Sequence, residues 1–257
     1  EHLKYKPYFP RPLVLDEGEN MFDRIRRGDL MLYHPYDSFE PVVRFVRQAA
    51  KDRRVLAIKQ TLYRVSGQSP IISALAEAAD AGKQVTVLLE LKARFDEENN
   101  IHWGRRLERA GAHVIYGMPG LKTHSKITLV VRAEESGIRR YVHLATGNYN
   151  DVTANFYTDH GLFTASEPFG SDASDFFNML TGFSVLPKLK KLVSAPRDLR
   201  SKFLELIDRE AQHALAGKRA EIIAKMNALV DEEIIAALYR ASAAGVRIRL
   251  IVRGICC

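Results

Sequence analysis

The chain has 257 residues, of which 46% are hydrophobic, and its 38 lysines and arginines exceed its 31 aspartates and glutamates to give a formal charge of +7. That composition excludes disorder and supplies apolar material for one large domain or two smaller ones, while the positive balance favours polyanionic partners but is modest for nucleic acid. Cys256 and Cys257 stand side by side at the extreme end, where they cannot staple a fold, so a reducing, cytoplasmic compartment is expected, with membrane association as the alternative. No apolar run approaches a membrane span, and no signal-peptide pattern opens the chain. The missing initiator Met and the stop just after an apolar run suggest a piece of a longer protein.

In chain order, residues 1–37 mix Pro7, Pro10, Pro12 and Pro35 with charged residues and read as an arm, because proline denies backbone donors to regular elements. The first domain is expected over 38–186. A helix starts near Ser38, with Pro41 in its first turn and Val42, Phe45 and Val46 on one face as far as Ala50. Residues 55–59 read as a short buried strand, 71–81 as a helix ending at Gly82, and 85–91 as a second buried strand. Another helix over 100–110 ends at Gly111, and 112–116 gives a third strand. This alternation predicts parallel pairing. The link 117–123 is too short for a crossover helix, so the strand over 127–132 should turn back antiparallel, followed by strands over 139–145 and 157–164. The fold class is therefore α/β, a mixed parallel and antiparallel sheet flanked by helices, closed by a helix around 172–180.

Pro187, Lys188, Lys190, Lys191 and Pro196 mark a linker over 187–197. Residues 198–257 then begin a second, similar domain. The run from Ile71 to Gly82 is echoed from Ile234 to Gly245 at one constant offset of 163 residues (234 minus 71, and 245 minus 82), and each copy leads into an apolar strand. Shared architecture without common ancestry would give the same pattern, but a register held through helix and strand favours duplication. The duplicate of a group near 124 would fall near 287, beyond this chain.

The sharpest chemical signal lies in the run from Gly120 to Lys126, where His124 and Lys126 stand two apart at a strand start and project to one side. An imidazole beside an ammonium suits phosphate chemistry, the first as nucleophile or general acid/base and the second to neutralise transferring oxygens. Functional residues in such sheets gather outside the carboxyl ends of the parallel strands. Arg64 and Arg94 follow the first and second strands there, and an arginine fork matches phosphate oxygens. Asn148 and Asn150 reach the same rim, either as phosphate contacts or as parts of a tight turn with Gly147. Tyr157 and Asp159 open the next strand; Asp159 either pairs with a nearby cation or orients His124 and helps hold a metal, and Tyr157 packs or lines the site. Arg253 follows the strand over 248–252 and occupies the corresponding edge of the second repeat. His102, His113, His143 and His160 have no comparable company and read as structural or exposed.

With the stretches from Thr61 to Arg64, Leu91 to Glu97, Gly120 to Lys126, Thr146 to Asn150 and Leu250 to Gly254 in place, the chain resembles the bacterial polyphosphate kinases of the first type. The resemblance implies phospholipase D-like catalytic domains, the first complete here and the second only begun, with a second catalytic histidine outside this chain. It implies that His124 accepts the γ-phosphate of ATP as a phosphohistidine and passes it reversibly to polyphosphate. Arg64 and Arg94 would contact phosphate and the Mg²⁺ region, Arg253 the nucleotide or phosphates, and Tyr157 and Asp159 would line the site, Asp159 steadying His124. ATP, ADP and polyphosphate would be the partners, with no nucleic acid, and the full-length protein a homo-oligomer. A phospholipase D-like phosphodiesterase or nuclease is the rival enzyme, but such enzymes place an aspartate where this chain has Val131. A non-catalytic polyanion-binding domain is the other alternative.

Overall fold

Buried apolar runs become strands and glycine-terminated amphipathic runs become helices in the computed structural model, which describes residues 3, 5–6, 8–90, 97–118, 120–182, 185 and 187–257, the side chain of Glu97 excepted. The chain divides into two units, Glu1–Lys191 and Leu192–Cys257. In the first unit the order is α1 (Met21–Arg27), β1 (Leu30–His34), α2 (Glu40–Lys51), β2 (Val55–Leu62), α3 (Pro70–Asp80), β3 (Gln84–Leu89), α4 (Glu97–Arg109), β4 (His113–Tyr116), β5 (Ile127–Glu134), β6 (Gly137–Ala145), β7 (Asp159–Thr164) and α5 (Glu167–Leu180). Among the described residues seven strands pair in the order β1-β7-β6-β5-β2-β3-β4. The pairs β2–β3 and β3–β4 are parallel, and β2–β5, β5–β6, β6–β7 and β1–β7 are antiparallel, so the expected mixed sheet and the reversal after β4 are both observed.

The period-two alternation of the strands divides the sheet into two apolar faces. Ile58, Val87, Val130, Tyr141 and Phe163 point into a core shared with Phe22 of α1, Phe45 of α2, Leu75 of α3 and Leu107 of α4. Residues of opposite parity, such as the cross-strand partners Leu129 and Val142, are buried on the α5 side, where α5 supplies Ala173 and Phe177. Helices α3 and α4 end where Gly82 (φ 81°) and Gly111 (φ 90°) take left-handed backbone that residues with a Cβ rarely adopt.

Two expectations need correction. The segment 1–37 is no simple arm, because it contributes α1, capped by Asn20, and β1, an edge strand in register with β7 from Leu30 opposite Phe163 to His34 opposite Asp159. Its prolines flank β1 without interrupting it, and an edge strand needs donors on one side only. Tyr157, read as part of the last strand, lies before β7 in a bend and is 62% exposed.

The second unit contains α6 (Leu199–Leu215), β8 (Glu221–Met226), α7 (Glu232–Ala243) and β9 (Arg247–Val252), with β8 and β9 parallel. The offset of 163 maps β3 onto β9 end to end (84 plus 163 is 247, and 89 plus 163 is 252). It also maps the turn that closes α3 onto the turn that closes α7: Gly82 N–H donates to Ala79 and Lys83 N–H to Ala78, while Gly245 N–H donates to Ser242 and Val246 N–H to Ala241. The same pair of bonds closes α4 (Gly111, Ala112) and α6 (Gly217, Lys218), so it is the general ending of a helix at glycine, and the argument for duplication stays with the sequence register.

Candidate active site

The antiparallel return of β5 along β2 is what gathers the site. Gln60 pairs with Thr128, so the carboxyl end of β2 lies beside the start of β5, and Ala145 pairs with Gly161, so the end of β6 and the start of β7 meet the same edge. Arg64, His124, the stretch 146–150 and Asp159 therefore share one rim. Arg94 falls outside the described residues. Arg253 belongs to the second unit, directly after β9; its N–H donates to Met226 O (3.1 Å), as Glu90 N–H after β3 donates to Leu62 O (2.9 Å).

The loop that delivers His124 is pinned from two sides. The N–H of Thr123 donates to Oε2 of the buried Glu90 (2.8 Å). Thr61 Oγ1 donates to Ser125 O (2.9 Å) and accepts from Ile127 N–H (3.1 Å). Both anchors are buried, so they place the histidine backbone with little freedom. Lys126 is 5% exposed and folds back to donate to His124 O (2.6 Å).

The imidazole of His124 lies edge to face with Tyr63, centroids 5.3 Å apart and planes at 73°. Around that same phenol ring stand Lys122 Nζ and Lys126 Nζ, each 5.4 Å from the centroid, and Arg64 Cζ at 5.8 Å. Partial burial and the charges of Lys126 and Lys122 push the His124 pKa below its ordinary value, favouring the neutral form of the ring. Among the described residues neither ring nitrogen of His124 takes part in a hydrogen bond, so a lone pair is free for attack. Burial lowers Lys126 to about 8 against the opposing pull of Asp159.

Asp159 does not steady His124 through a direct contact. Its Oδ1 accepts from Thr146 Oγ1 (2.8 Å), no hydrogen bond joins it to the imidazole among the described residues, and its charge acts on Lys126. Gly147 is required beside it, since a Cβ there would sit 2.5 Å from Asp159 Oδ2. The asparagines divide. Asn150 Oδ1 accepts from Val152 N–H (3.1 Å) and Thr153 N–H (2.9 Å), an Asx turn leading into the 3₁₀ turn Thr153–Asn155, which favours the turn role. Asn148 Oδ1 is buried with no hydrogen bond among the described residues, so a phosphate contact from this residue would come from its Nδ2 donors. Tyr157 is too exposed to pack.

Sequence reading missed Tyr63, Lys122 and Glu90. The available signals were an aromatic residue directly before Arg64 and a carboxylate ending the otherwise apolar β3 run; Lys122 had only its place two residues before His124.

Fold and site together define a class: a mixed α/β domain with a partial echo of itself, holding a neutral imidazole among cations at the sheet edge. Comparison with known proteins narrows the class. The family model for polyphosphate kinase C-terminal domain 1 matches residues 20–186, and that for polyphosphate kinase C-terminal domain 2 matches residues 192–257. The chain belongs to the polyphosphate kinase family. The polyphosphate kinase of Halalkalibacterium halodurans is 60% identical over 258 residues, covering 100% of this chain and 37% of that protein. That of Bacillus anthracis is 57% identical with the same coverage of both, 100% and 37%. The crystal structure of polyphosphate kinase from Porphyromonas gingivalis superposes with a TM-score of 0.85 at 41% identity, covering 96% of this chain and 42% of that one. The chain thus spans 37% of the length of these curated relatives.

Proposed function

We propose that this chain carries the phosphoryl-accepting site of a polyphosphate kinase, which moves the γ-phosphate of ATP reversibly onto polyphosphate through a phosphohistidine at His124. A nitrogen lone pair of His124 attacks the γ-phosphorus; the bond from that phosphorus to the β–γ bridging oxygen breaks, and ADP leaves with the electron pair. A terminal oxygen of polyphosphate then attacks the same phosphorus, and the phosphorus–nitrogen bond breaks to restore the imidazole. Both displacements depend on position and on cations around the equatorial oxygens more than on a strong base. Lys126, Arg64 and Arg94 neutralise those oxygens, Arg253 serves the nucleotide or the chain, and Asn148 donates to phosphate. Tyr157, exposed at the rim, lines the site, and the charge of Asp159 favours the ammonium form of Lys126. The observation that carries the reading is the His124 imidazole, with no hydrogen bond to either nitrogen among the described residues, at a ring that also faces three cations.

Mg²⁺ is implied by the resemblance, but the described rim does not fit a protein-held divalent ion. Guanidinium and ammonium groups offer no lone pair, Asp159 and Glu90 are engaged by Thr146 and the Thr123 N–H, and no cluster of three His, Cys, Asp or Glu suited to a metal occurs among the described residues. Arg64 and Arg94 can adjoin such an ion only through phosphate oxygens, and no step above uses it. The partners are ATP, ADP and polyphosphate, and the full-length protein is proposed to be a homo-oligomer in the cytoplasm. No helix among the described residues is long and apolar enough to cross a membrane.

The test is to expose the full-length protein to γ-labelled ATP and Mg²⁺ and look for acid-labile, alkali-stable label. Label absent from the His124→Ala variant supports the nucleophile; label that survives the change refutes it. Absence of any covalent label with retained, salt-sensitive binding of polyphosphate favours a polyanion-binding domain.

A further inference from the structure

Two lysines of like charge gather at this rim, and the group they share is an aromatic face. Lys122 Nζ, Lys126 Nζ and Arg64 Cζ lie 5.4, 5.4 and 5.8 Å from the centroid of Tyr63, within the range where a ring quadrupole attracts a cation. Neither lysine has a carboxylate within ion-pair distance among the described residues. The ring of His124 meets the same phenol edge to face, so one side chain touches both the cations and the nucleophile. Its backbone is held in turn: the fully buried Asn100 of α4 donates from Nδ2 to Tyr63 O (3.0 Å) and to Glu90 O (2.8 Å), and the Glu90 carboxylate holds the N–H of Thr123, next to His124. The loops after β2 and before β5 are thereby tied to one frame.

We infer that Tyr63 is the positioning residue of the site, a π-face that holds Lys122 and Lys126 beside His124 without neutralising them, with Arg64 at the same ring. A carboxylate in that place would gather the same cations but would compete with phosphate for them. A ring attracts them through its quadrupole, carries no net charge, and leaves their outward donors to an incoming phosphoryl group. The phenol hydroxyl has no part in this, so phenylalanine should serve as well. The inference rests on the phosphohistidine reading for its consequence in rate, but the platform itself can be tested without turnover.

The experiment uses the full-length protein with Tyr63→Phe, Tyr63→Leu and a series of fluorinated phenylalanines at 63, which weaken the ring face at nearly constant shape. Tyr63→Phe should form labelled phosphoenzyme from ATP within about twofold of the parent rate, the fluorinated series should fall stepwise, and Tyr63→Leu should fall by about ten- to a hundredfold, with thermal unfolding unchanged through the phenylalanine series. A flat fluorination series, or Tyr63→Phe as slow as Tyr63→Leu, overturns the inference. Proton NMR titration of His124 separates this failure from failure of the proposed reaction. Lys122, Lys126 and Tyr63 are the groups facing the imidazole, so dispersing the cations in Tyr63→Leu should raise its titration midpoint towards the ordinary histidine value. An unmoved midpoint overturns the platform whether or not the parent enzyme becomes labelled. A moved midpoint with no label in the parent leaves the platform standing and sinks the phosphohistidine.

Discussion

Strand β5 carries a buried cation near each end, and the two are treated in opposite ways. At the far end Arg132, 1% exposed, donates from Nε to Asp52 (2.8 Å) and from Nη1 to Glu134 (2.8 Å) and lies over Phe22; Glu134 also takes Arg139 (3.0 Å) and the hydroxyl of Tyr141. At the rim Lys126 meets a backbone carbonyl and an aromatic face, with no carboxylate in ion-pair contact among the described residues. Charge satisfied within the fold fixes structure. Charge held by a carbonyl and an aromatic face, with no carboxylate in ion-pair contact among the described residues, is available to an anionic ligand, as the proposed phosphate chain would be. What distinguishes the functional cations is therefore the kind of group facing them more than their burial.

Changes at each end should break this contrast in different observables. The largest effect is expected for His124→Ala, a loss of at least about a thousandfold in phosphoryl transfer with folding intact, checked by steady-state rates and thermal unfolding. Next comes Arg132→Ala, which leaves Asp52 and Glu134 without their buried partner and should cost about 3–5 kcal/mol in denaturant unfolding, while the activity of the folded fraction is kept. Burial alone would raise the pKa of Glu134, but hydrogen bonds from Tyr141 and Arg132 and the charges of Arg26 and Arg132 outweigh it and hold the carboxyl low; Asp52 is held low in the same way by Arg54 and Arg132. Because the unfolded chain binds more protons there, this stabilisation is present above about pH 4 and is lost as pH falls through the lower native values.

A smaller effect, about a hundredfold in rate with little change in melting temperature, is expected for Lys126→Ala. With Lys126 titrating at about 8, the ammonium is lost as pH rises through that value, so the parent rate should decline above it. Its stability effect has the opposite sign, since a lysine whose native pKa is depressed weakens the fold at low pH and ceases to do so as pH rises towards the unfolded value of about 10.4. The smallest is Asn150→Ala, about 1 kcal/mol from the two lost turn hydrogen bonds, with the KM for polyphosphate unmoved. A large rise in that KM would return Asn150 to the substrate contacts.

Much of the fold and part of the site could be read from sequence, whereas the Arg132 cluster could not, and the reasons for what was hidden are physical. Gly82 and Gly111 ended helices where backbone chemistry requires it, and the short link 117–123 forced the reversal that brings His124 beside Arg64. His124 and Lys126 lie before β5, outside the alternation expected to align them, and meet because the Lys126 ammonium folds back on His124 O. Strand β1 was hidden because its five residues are flanked by Pro35 and by a charged turn, and its role as an edge depends on β7, more than a hundred residues away. Tyr63 and Glu90 were hidden because their roles arise from side chains of separate loops meeting in space. No local pattern encodes an arginine, two lysines and a histidine around one ring.

The most direct measurement is a pulse and chase on the full-length protein. The enzyme would be loaded briefly with γ-labelled ATP, freed of nucleotide, mapped by mass spectrometry, and then given unlabelled polyphosphate. The expected result is label on His124 that moves into polyphosphate, or back into ATP when ADP is added. Label on another residue, or label on His124 that neither acceptor removes, would contradict the account.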